Sequence, residues 1–330
     1  MFLSIIVPIY NIAGYINNCI KSLLNPDINN NFYEIIIIDD GSIDNSLEIV
    51  KDFANKYQMI KVVSQKNQGA AAARNRGINE AQGDYLWFVD GDDYIETNFI
   101  KFLLKEIKEM QADIFLFQMA LGADLEKQFD KTVSYNLEPG RIYTGEQVLK
   151  NGIFPSSACN AIYRRDFLKQ NNFIFNKESY REDVEFTGKV FCLANSIKYI
   201  PLIGYYYFTR PGSKTQNISL NNRIHLLDAE ITIANSFLRF GKSTKKQHPW
   251  INRYMKERAN MVLFNMMLSI YRDKEIPFEA ATALLEKSKN LSLYPLDLYN
   301  SGSIKHRCMW FLFNLEIMYV FMLKMNRLRG

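Results

Sequence analysis

Residues 33–42 read Tyr-Glu-Ile-Ile-Ile-Ile-Asp-Asp-Gly-Ser, and residues 85–93 read Tyr-Leu-Trp-Phe-Val-Asp-Gly-Asp-Asp. Both are apolar runs that stop abruptly at paired aspartates. Four consecutive isoleucines leave a strand no polar face, so it must be covered on both sides, as parallel strands are. Working outward, Leu3–Ile9 and Ile60–Ser64 read as two further strands. Helical spacing fills the gaps: Tyr15–Leu24, Asp44–Tyr57 with Asp44 or Asn45 as its cap, and the small-residue-rich Ala70–Ala81 closed by Gly83. Strand and helix in strict alternation predict an α/β fold on a mostly parallel sheet, with helices on both faces.

The pattern continues with a helix over Thr97–Met110 and a strand over Asp113–Met119. Residues 120–145 are less regular and predict an antiparallel excursion. Ser157–Tyr163, a helix over Glu182–Ala194 and the Ile197–Phe208 segment complete this first part. After Gln216 everything reads as helix: Asn221–Phe240, Pro249–Arg272, Pro277–Lys289 and Ile304–Arg329. The expected organisation is a domain over 1–215, in halves 1–96 and 97–215, then a helical extension over 216–330.

With 330 residues the chain can bury a sizeable core. Its net charge of +5 is unevenly placed. From Gly241 to Gly330 there are 15 Lys/Arg against 7 Asp/Glu, leaving 25 against 28 before Gly241. A basic end points to an anionic surface or ligand there, or to a solvated basic face; no nucleic-acid partner is expected. Cys19, Cys159, Cys192 and Cys308 have no metal-ligand spacing and read as small buried apolar residues of a reducing compartment. Met1–Tyr10 lacks a basic n-region, so no signal peptide is expected. There is no phosphate-loop GxxxxGK[ST] string and no GxGxxG after a strand, which removes the main support for kinase and dinucleotide-oxidoreductase readings.

Open α/β sheets bind ligands at the carboxyl ends of their strands. Here those ends carry Pro8-Ile9-Tyr10-Asn11, Asp39-Asp40-Gly41-Ser42 and Asp90-Gly91-Asp92-Asp93. Neighbouring acidic clusters repel unless a cation or hydrogen-bond donors compensate. Carboxylate oxygens suit a hard divalent ion, Mg²⁺ or Mn²⁺. Taken singly, the second aspartate cluster also reads as a turn with Asp93 capping a helix, and Asp-Gly-Ser is ordinary turn chemistry.

Taken together, SIIVPIYN, IIIIDDGSIDNS and NQGAAAARNRGINEAQGDYLWFVDGDD closely resemble family-2 glycosyltransferases of the GT-A fold. The resemblance runs from about Leu3 to Asp93, resumes at Tyr180–Phe186, and returns loosely at Tyr205–Arg210. It implies a GT-A domain that transfers a sugar from a nucleotide-diphosphate donor, with inversion. It implies that Pro8 and Tyr10 line the base and ribose pocket. Asp40 would accept a hydrogen bond from a uracil N–H, making a UDP-sugar the expected donor. Gly69 and Arg74 would lie in the segment over the nucleotide, Arg74 either touching it or pairing with Asp90 or Asp92. Asp90 and Asp92 would form the DxD element, with Asp92 as the direct metal ligand and Asp93 sharing the ion or the donor sugar. The metal, Mn²⁺ or Mg²⁺, would bridge the two phosphates.

Arg181-Glu182-Asp183 is the second constellation. By the same resemblance Asp183 is the general base and Glu182 an acceptor-binding residue; without it, the acidic pair reads as a helix N-terminus favouring the macrodipole. Arg210 and Lys214 lie in a Pro/Gly/Ser loop that either closes over the pyrophosphate or merely links two domains. Cys308–Leu323 is apolar except for Asn314 and Glu316, with basic flanks, and suits either an interfacial helix on anionic lipid or a helix docked on protein. The resemblance points to surface polysaccharide synthesis, of capsule or lipopolysaccharide type, or to lipid-linked oligosaccharide synthesis. The acceptor would be a saccharide or lipid-linked saccharide, in the cytoplasm or at the inner face of its membrane. The alternatives are a sugar nucleotidyltransferase and a non-catalytic nucleotide-sugar-binding subunit.

Overall fold

The isoleucine run becomes an enclosed strand. Every residue of β2 (Tyr33–Asp39) is buried, and β1 (Leu3–Ile9), β3 (Ile60–Ser64) and β4 (Tyr85–Phe88) lie parallel beside it in the order β3-β2-β1-β4. The computed structural model describes residues 2–29, 31–124, 126, 128–209, 219–297 and 304–328. Helices α1 (Ile16–Leu23), α2 (Ser46–Lys56) and α3 (Ala70–Glu80) connect these strands. Asp44 Oδ1 accepts from Ser46 N at 2.9 Å at the start of α2, whereas Asn45, in the cap position, makes no side-chain cap bond. Gly77 lets α3 approach β1 closely: a Cβ there would lie 2.2 Å from Ile6 Cγ2.

The chain continues through β5 (Tyr94–Ile95), α4 (Phe99–Glu109), β6 (Ile114–Ala123), β7 (Lys131–Val133), β8 (Ile142–Tyr143), α5 (Gly145–Lys150), β9 (Ala161–Arg164), α6 (Arg165–Gln170), α7 (Glu182–Leu193) and β10 (Ile197–Phe208). The sheet extends as β4-β9-β6-β10-β5. This half is mixed rather than parallel, because β9 runs antiparallel to both β4 and β6, while β10 returns parallel to β6. The antiparallel excursion expected after residue 119 is β7 on β6 and β8 on β10. The register shift in β10 between Ile200 and Ile203 spans Pro201, which cannot complete a ladder.

By internal contacts the chain forms two compact units, Met1–Lys177 with Glu182–Ser213, and Glu178–Arg181 with Lys214–Gly330. The second unit consists of α8 (Leu220–Thr244), α9 (Pro249–Arg272), α10 (Phe278–Asn290), α11 (Ile304–Asn314) and α12 (Glu316–Leu328), with residues 178–181. The single terminal helix expected over Ile304–Arg329 is therefore two, bent by 107° at a break around Leu315. Beside the break, the Asn314 side chain donates to Leu296 O at 2.9 Å and accepts from Leu296 N at 2.7 Å, which ties the end of α11 to the segment after α10. Cys19, Cys159 and Cys192 are buried as expected, but Cys308, in α11, is exposed.

Candidate functional site

Because β1 pairs in parallel with both β2 and β4, the loops leaving these three strands emerge side by side. The first is stitched to the second. Asn11 N donates to Ser42 Oγ (3.1 Å), Ile12 N to Ser46 Oγ (2.8 Å), Ala13 N to Asp44 Oδ2 (3.0 Å), and Ile43 N to Asn11 Oδ1 (2.9 Å). Asn11 sits at φ 52°, a left-handed conformation that asparagine enters more readily than most residues. Within this loop Pro8 is half-buried and Tyr10 is 46% exposed, a large ring held out on a braced backbone.

Asp39 and Asp40 are both buried, with different partners. Asp39 Oδ1 accepts from Ser42 N (3.1 Å) and closes its own turn. Asp40 Oδ1 accepts from Gln65 Nε2 (2.8 Å) and Gln68 N (2.9 Å), while Oδ2 accepts from Gly69 N (2.7 Å). Asp40 thus ties down the segment leading into α3. Gly41, at φ 76°, permits this: a Cβ would sit 3.0 Å from Asn67 N.

The third loop is Asp90–Asp93. Its glycine is required by crowding, since a Cβ on Gly91 would lie 2.5 Å from Ile12 Cδ1 and 2.9 Å from Ile9 Cγ2. Asp90 and Asp92 are half-buried, whereas Asp93 is 2% exposed. Asp93 accepts from Phe208 N (2.7 Å) and from the Tyr205 hydroxyl, and the same hydroxyl accepts from Asp90 N at 3.1 Å. Burial, then the charges of Asp92 and Asp90, push the Asp93 carboxyl well above its ordinary range. Its oxygens hold β10 to the turn. Two thiols also touch Asp90, Cys19 donating to its carbonyl and Cys159 to its Oδ2, each at 3.7 Å. Burial, followed by the neighbouring aspartates, pushes both thiols up and keeps them neutral.

Arg74 joins the two constellations. From inside α3 it donates to Asp90 Oδ1 and to Glu182 Oε1, each at 2.6 Å, and its guanidinium stands 5.4 Å from the Phe175 ring centroid. Burial works against its charge, but the two carboxylates outweigh that and hold it firmly protonated. Of the two roles open to Arg74 from sequence, the structure contains the ion pair with Asp90. Beside Glu182, at the start of α7, Asp183 is half-buried and accepts from Val184 N at 2.8 Å. Burial first, and Glu182 second, raise its carboxyl from 3.8 to about 6, against the pull of Arg74. A carboxylate poised near neutral pH is what proton abstraction requires.

Among the described residues no group of three or more His, Cys, Asp or Glu side chains forms a metal cage. The Asp90–Asp93 turn offers instead Asp92, with Asp90 sharing its carboxylate with Arg74. That donor set fits an ion that keeps part of its water and completes its shell with ligand phosphates, as Mg²⁺ does; Mn²⁺ accepts the same oxygens. Arg210 and Lys214 lie outside the described residues. Tyr205, Gln65, Cys159 and Phe175 escaped sequence reasoning. For Tyr205 the signal was its place in the Tyr205–Arg210 run; the others carry none, because a buried partner is defined by tertiary contact.

Comparison with known proteins bears on this geometry. A cholesterol galactosyltransferase of Borreliella burgdorferi is 32% identical over 240 residues, 68% of this chain and 64% of that protein. The chain thus spans slightly less than two thirds of this relative. Among solved structures, S. aureus TarS 1–349 in complex with UDP-GlcNAc superposes with a TM-score of 0.60 at 21% identity, covering 100% of this chain and 93% of that one. A mannosyltransferase from Pyrobaculum calidifontis in complex with GDP-Man and Mn²⁺ superposes at 0.54 with 15% identity, covering 99% and 86%. These likenesses concern the fold, and both neighbours bear out a GT-A architecture. The match to a family extends over residues 4–171, more than half the chain and all three strand-end loops, and with it the chain belongs to glycosyl transferase family 2.

Proposed function

We propose that the chain is an inverting glycosyltransferase that moves a sugar from a UDP-sugar to a hydroxyl of a saccharide or lipid-linked saccharide. The observation that carries this is the Arg74 bridge: one buried guanidinium pairs Asp90, on the donor side, with Glu182, next to a carboxylate that titrates at about 6. Pro8 and Tyr10 line the base and ribose. Asp40 Oδ2, which among the described residues accepts from Gly69 N alone, takes the uracil ring N–H on its remaining lone pair. Gly69, at φ 86° with open space around its Cα, lets the nucleotide approach the backbone. Asp92, with Asp90, would hold Mn²⁺ or Mg²⁺, which when bound screens the charge on the departing diphosphate. Asp93 keeps this turn in place from below, and Arg210 would contact the diphosphate.

Asp183 removes the acceptor hydroxyl proton as that oxygen bonds the anomeric carbon. The bond from that carbon to the diphosphate oxygen breaks in the same displacement, and its electron pair leaves with the nucleoside diphosphate. A single displacement inverts the configuration. Glu182, fixed by Arg74, binds the acceptor beside the base. We assign catalysis to residues 1–215 and a supporting role to 216–330. The reaction belongs to surface polysaccharide or lipid-linked oligosaccharide assembly in the cytoplasm, at the inner face of the membrane. A thermal-shift panel of UDP-, GDP- and CDP-sugars with Mn²⁺ or Mg²⁺ tests the donor, because selective binding to the native state raises the melting temperature. Selective stabilisation by UDP-sugars is expected; equal response to all three nucleotides overturns the uridine assignment. Release of pyrophosphate instead of a nucleoside diphosphate would make the protein a nucleotidyltransferase.

A further inference from the structure

The bent pair α11–α12 buries one face and leaves the other bare. Inward, Trp310 and Phe313 pack at a tilt against Phe264 of α9, at 4.9 and 5.6 Å between ring centroids. Tyr319 donates to Met267 O (2.9 Å), Asn326 to Tyr271 O (2.6 Å) and Arg327 to Ile276 O (2.9 Å). The pair is therefore docked on its own helical unit. Outward, Phe311 (65% exposed), Leu315 (45%), Ile317 (89%), Met318 (40%) and Phe321 (58%) cluster around the break. Scattered single apolar residues are ordinary on a surface, but five within eleven positions at one bend are a patch.

Charge identifies what covers it. His306 and Arg307 are exposed about one turn before Phe311, and Lys324 is exposed about one turn after Phe321. Glu316, the one carboxylate between Ile304 and Leu328, is already bound by Lys289 at 2.8 Å. An apolar corner rimmed by cations, with its single acid neutralised, complements a surface that is apolar beneath and anionic above. No single described helix is long and apolar enough to cross a bilayer; α11 and α12 qualify together by length and composition, but bent at 107° they present a corner rather than a rod.

We infer that this corner is a membrane-docking surface: Phe311, Leu315, Ile317, Met318 and Phe321 enter the headgroup–acyl boundary of an anionic bilayer, while Arg307 and Lys324 meet lipid phosphates. The inference deepens the membrane setting of the proposed reaction by naming its contact surface, and it stands or falls apart from the chemistry.

The test is co-sedimentation of the full chain with vesicles of phosphatidylcholine alone or mixed with phosphatidylglycerol, without donor. The parent should bind the anionic vesicles, and added salt should weaken the binding. The double variant Phe311→Ser/Phe321→Ser, which removes only outward rings, should bind about tenfold or more weakly. Arg307→Glu/Lys324→Glu should lose the preference for anionic lipid, at about fivefold or more per reversed charge. Both variants should keep the parent's melting temperature, which separates lost docking from lost folding. A parent left in the supernatant with anionic vesicles, or a serine variant that binds as well as the parent, overturns the inference. A parent dimer that the serine variant converts to monomer would make the patch a subunit interface. Resistance to alkaline carbonate extraction would make it a span.

Discussion

Replacing Asp183 with Asn should make the protein more stable and nearly inactive, and the stability gain should depend on pH. The Asp183 carboxyl titrates at about 6 in the folded chain against an ordinary 3.8, so the native state binds its proton more tightly than the unfolded one. The sign follows: the native state is relatively favoured below pH ~4, where both forms are protonated, and loses ground as pH rises towards ~6. About two units of displacement correspond to at most about 3 kcal/mol. Asp183 keeps some contact with water, so about 1–2 kcal/mol is the expected size. Asn preserves an acceptor for Val184 N and never ionises. At pH 7.5 Asp183→Asn should therefore unfold about 1–2 kcal/mol later than the parent, a rise in Tm of about 2–4 °C per kcal/mol, and the gap should close by about pH 4. Transfer should fall by roughly 10²–10⁴-fold, with nucleotide–metal binding intact. In the parent, kcat/KM should drop about tenfold from pH 7 to pH 5, where an ordinary carboxylate would lose only about a twentieth of its ionised form. Denaturant unfolding from pH 4 to 8, with initial rates over the same range, measures both. A variant less stable than the parent at pH 7.5, or a gap that does not vary with pH, would refute the assignment of Asp183 as a strained base and make it a structural residue.

Three further outcomes are expected. Asp92→Ala should abolish the Mn²⁺-dependent thermal shift with UDP and slow turnover by roughly 10²-fold or more; full parent activity in excess chelator would exclude the metal role. Asp40→Ala should weaken UDP binding by about 1–3 kcal/mol and raise hydrogen exchange at the Gln68 and Gly69 amides, which now donate to it; unchanged exchange at these amides would contradict the anchoring role. Gly77→Ala should destabilise the fold by about 1–3 kcal/mol, because its methyl would lie against the β-branched Ile6 in β1; an unshifted denaturation midpoint would show that α3 can retreat freely.

The N-terminal half of the sheet was legible because its causes are local. Ile35–Ile38 cannot tolerate a wet face, so parallel pairing and helical cover follow from four letters. Interleaved order was not legible. Nothing in Ala161–Arg164 says that β9 will insert between β4 and β6, since that depends on chain reversal over distant residues. Partners were the weakest point. From sequence Asp93 was expected to share the ion or the donor sugar beside Asp92, yet Tyr205 and Phe208, more than a hundred positions away, bind both its oxygens. The anchoring of Asn314 was equally hidden, because its partners are a carbonyl and an amide of Leu296, in a different segment.

The stitching of the loops at 10–13, 40–46 and 65–69 bears on how such a protein can be re-specified. Each of these loops owes its shape to side chains on another, through Ser42, Ser46, Asp44, Asn11 and Asp40. Substitutions in different loops will not add, as is usual for residues sharing partners. A chimera that imports one loop from a relative with another nucleotide will strand its hydrogen-bonding counterparts, whereas exchange of all three as a cassette keeps the donor–acceptor pairs matched. At the proposed donor site, the cross-bracing also means that the nucleotide would meet segments already ordered, so that little of its binding energy would be diverted into freezing them.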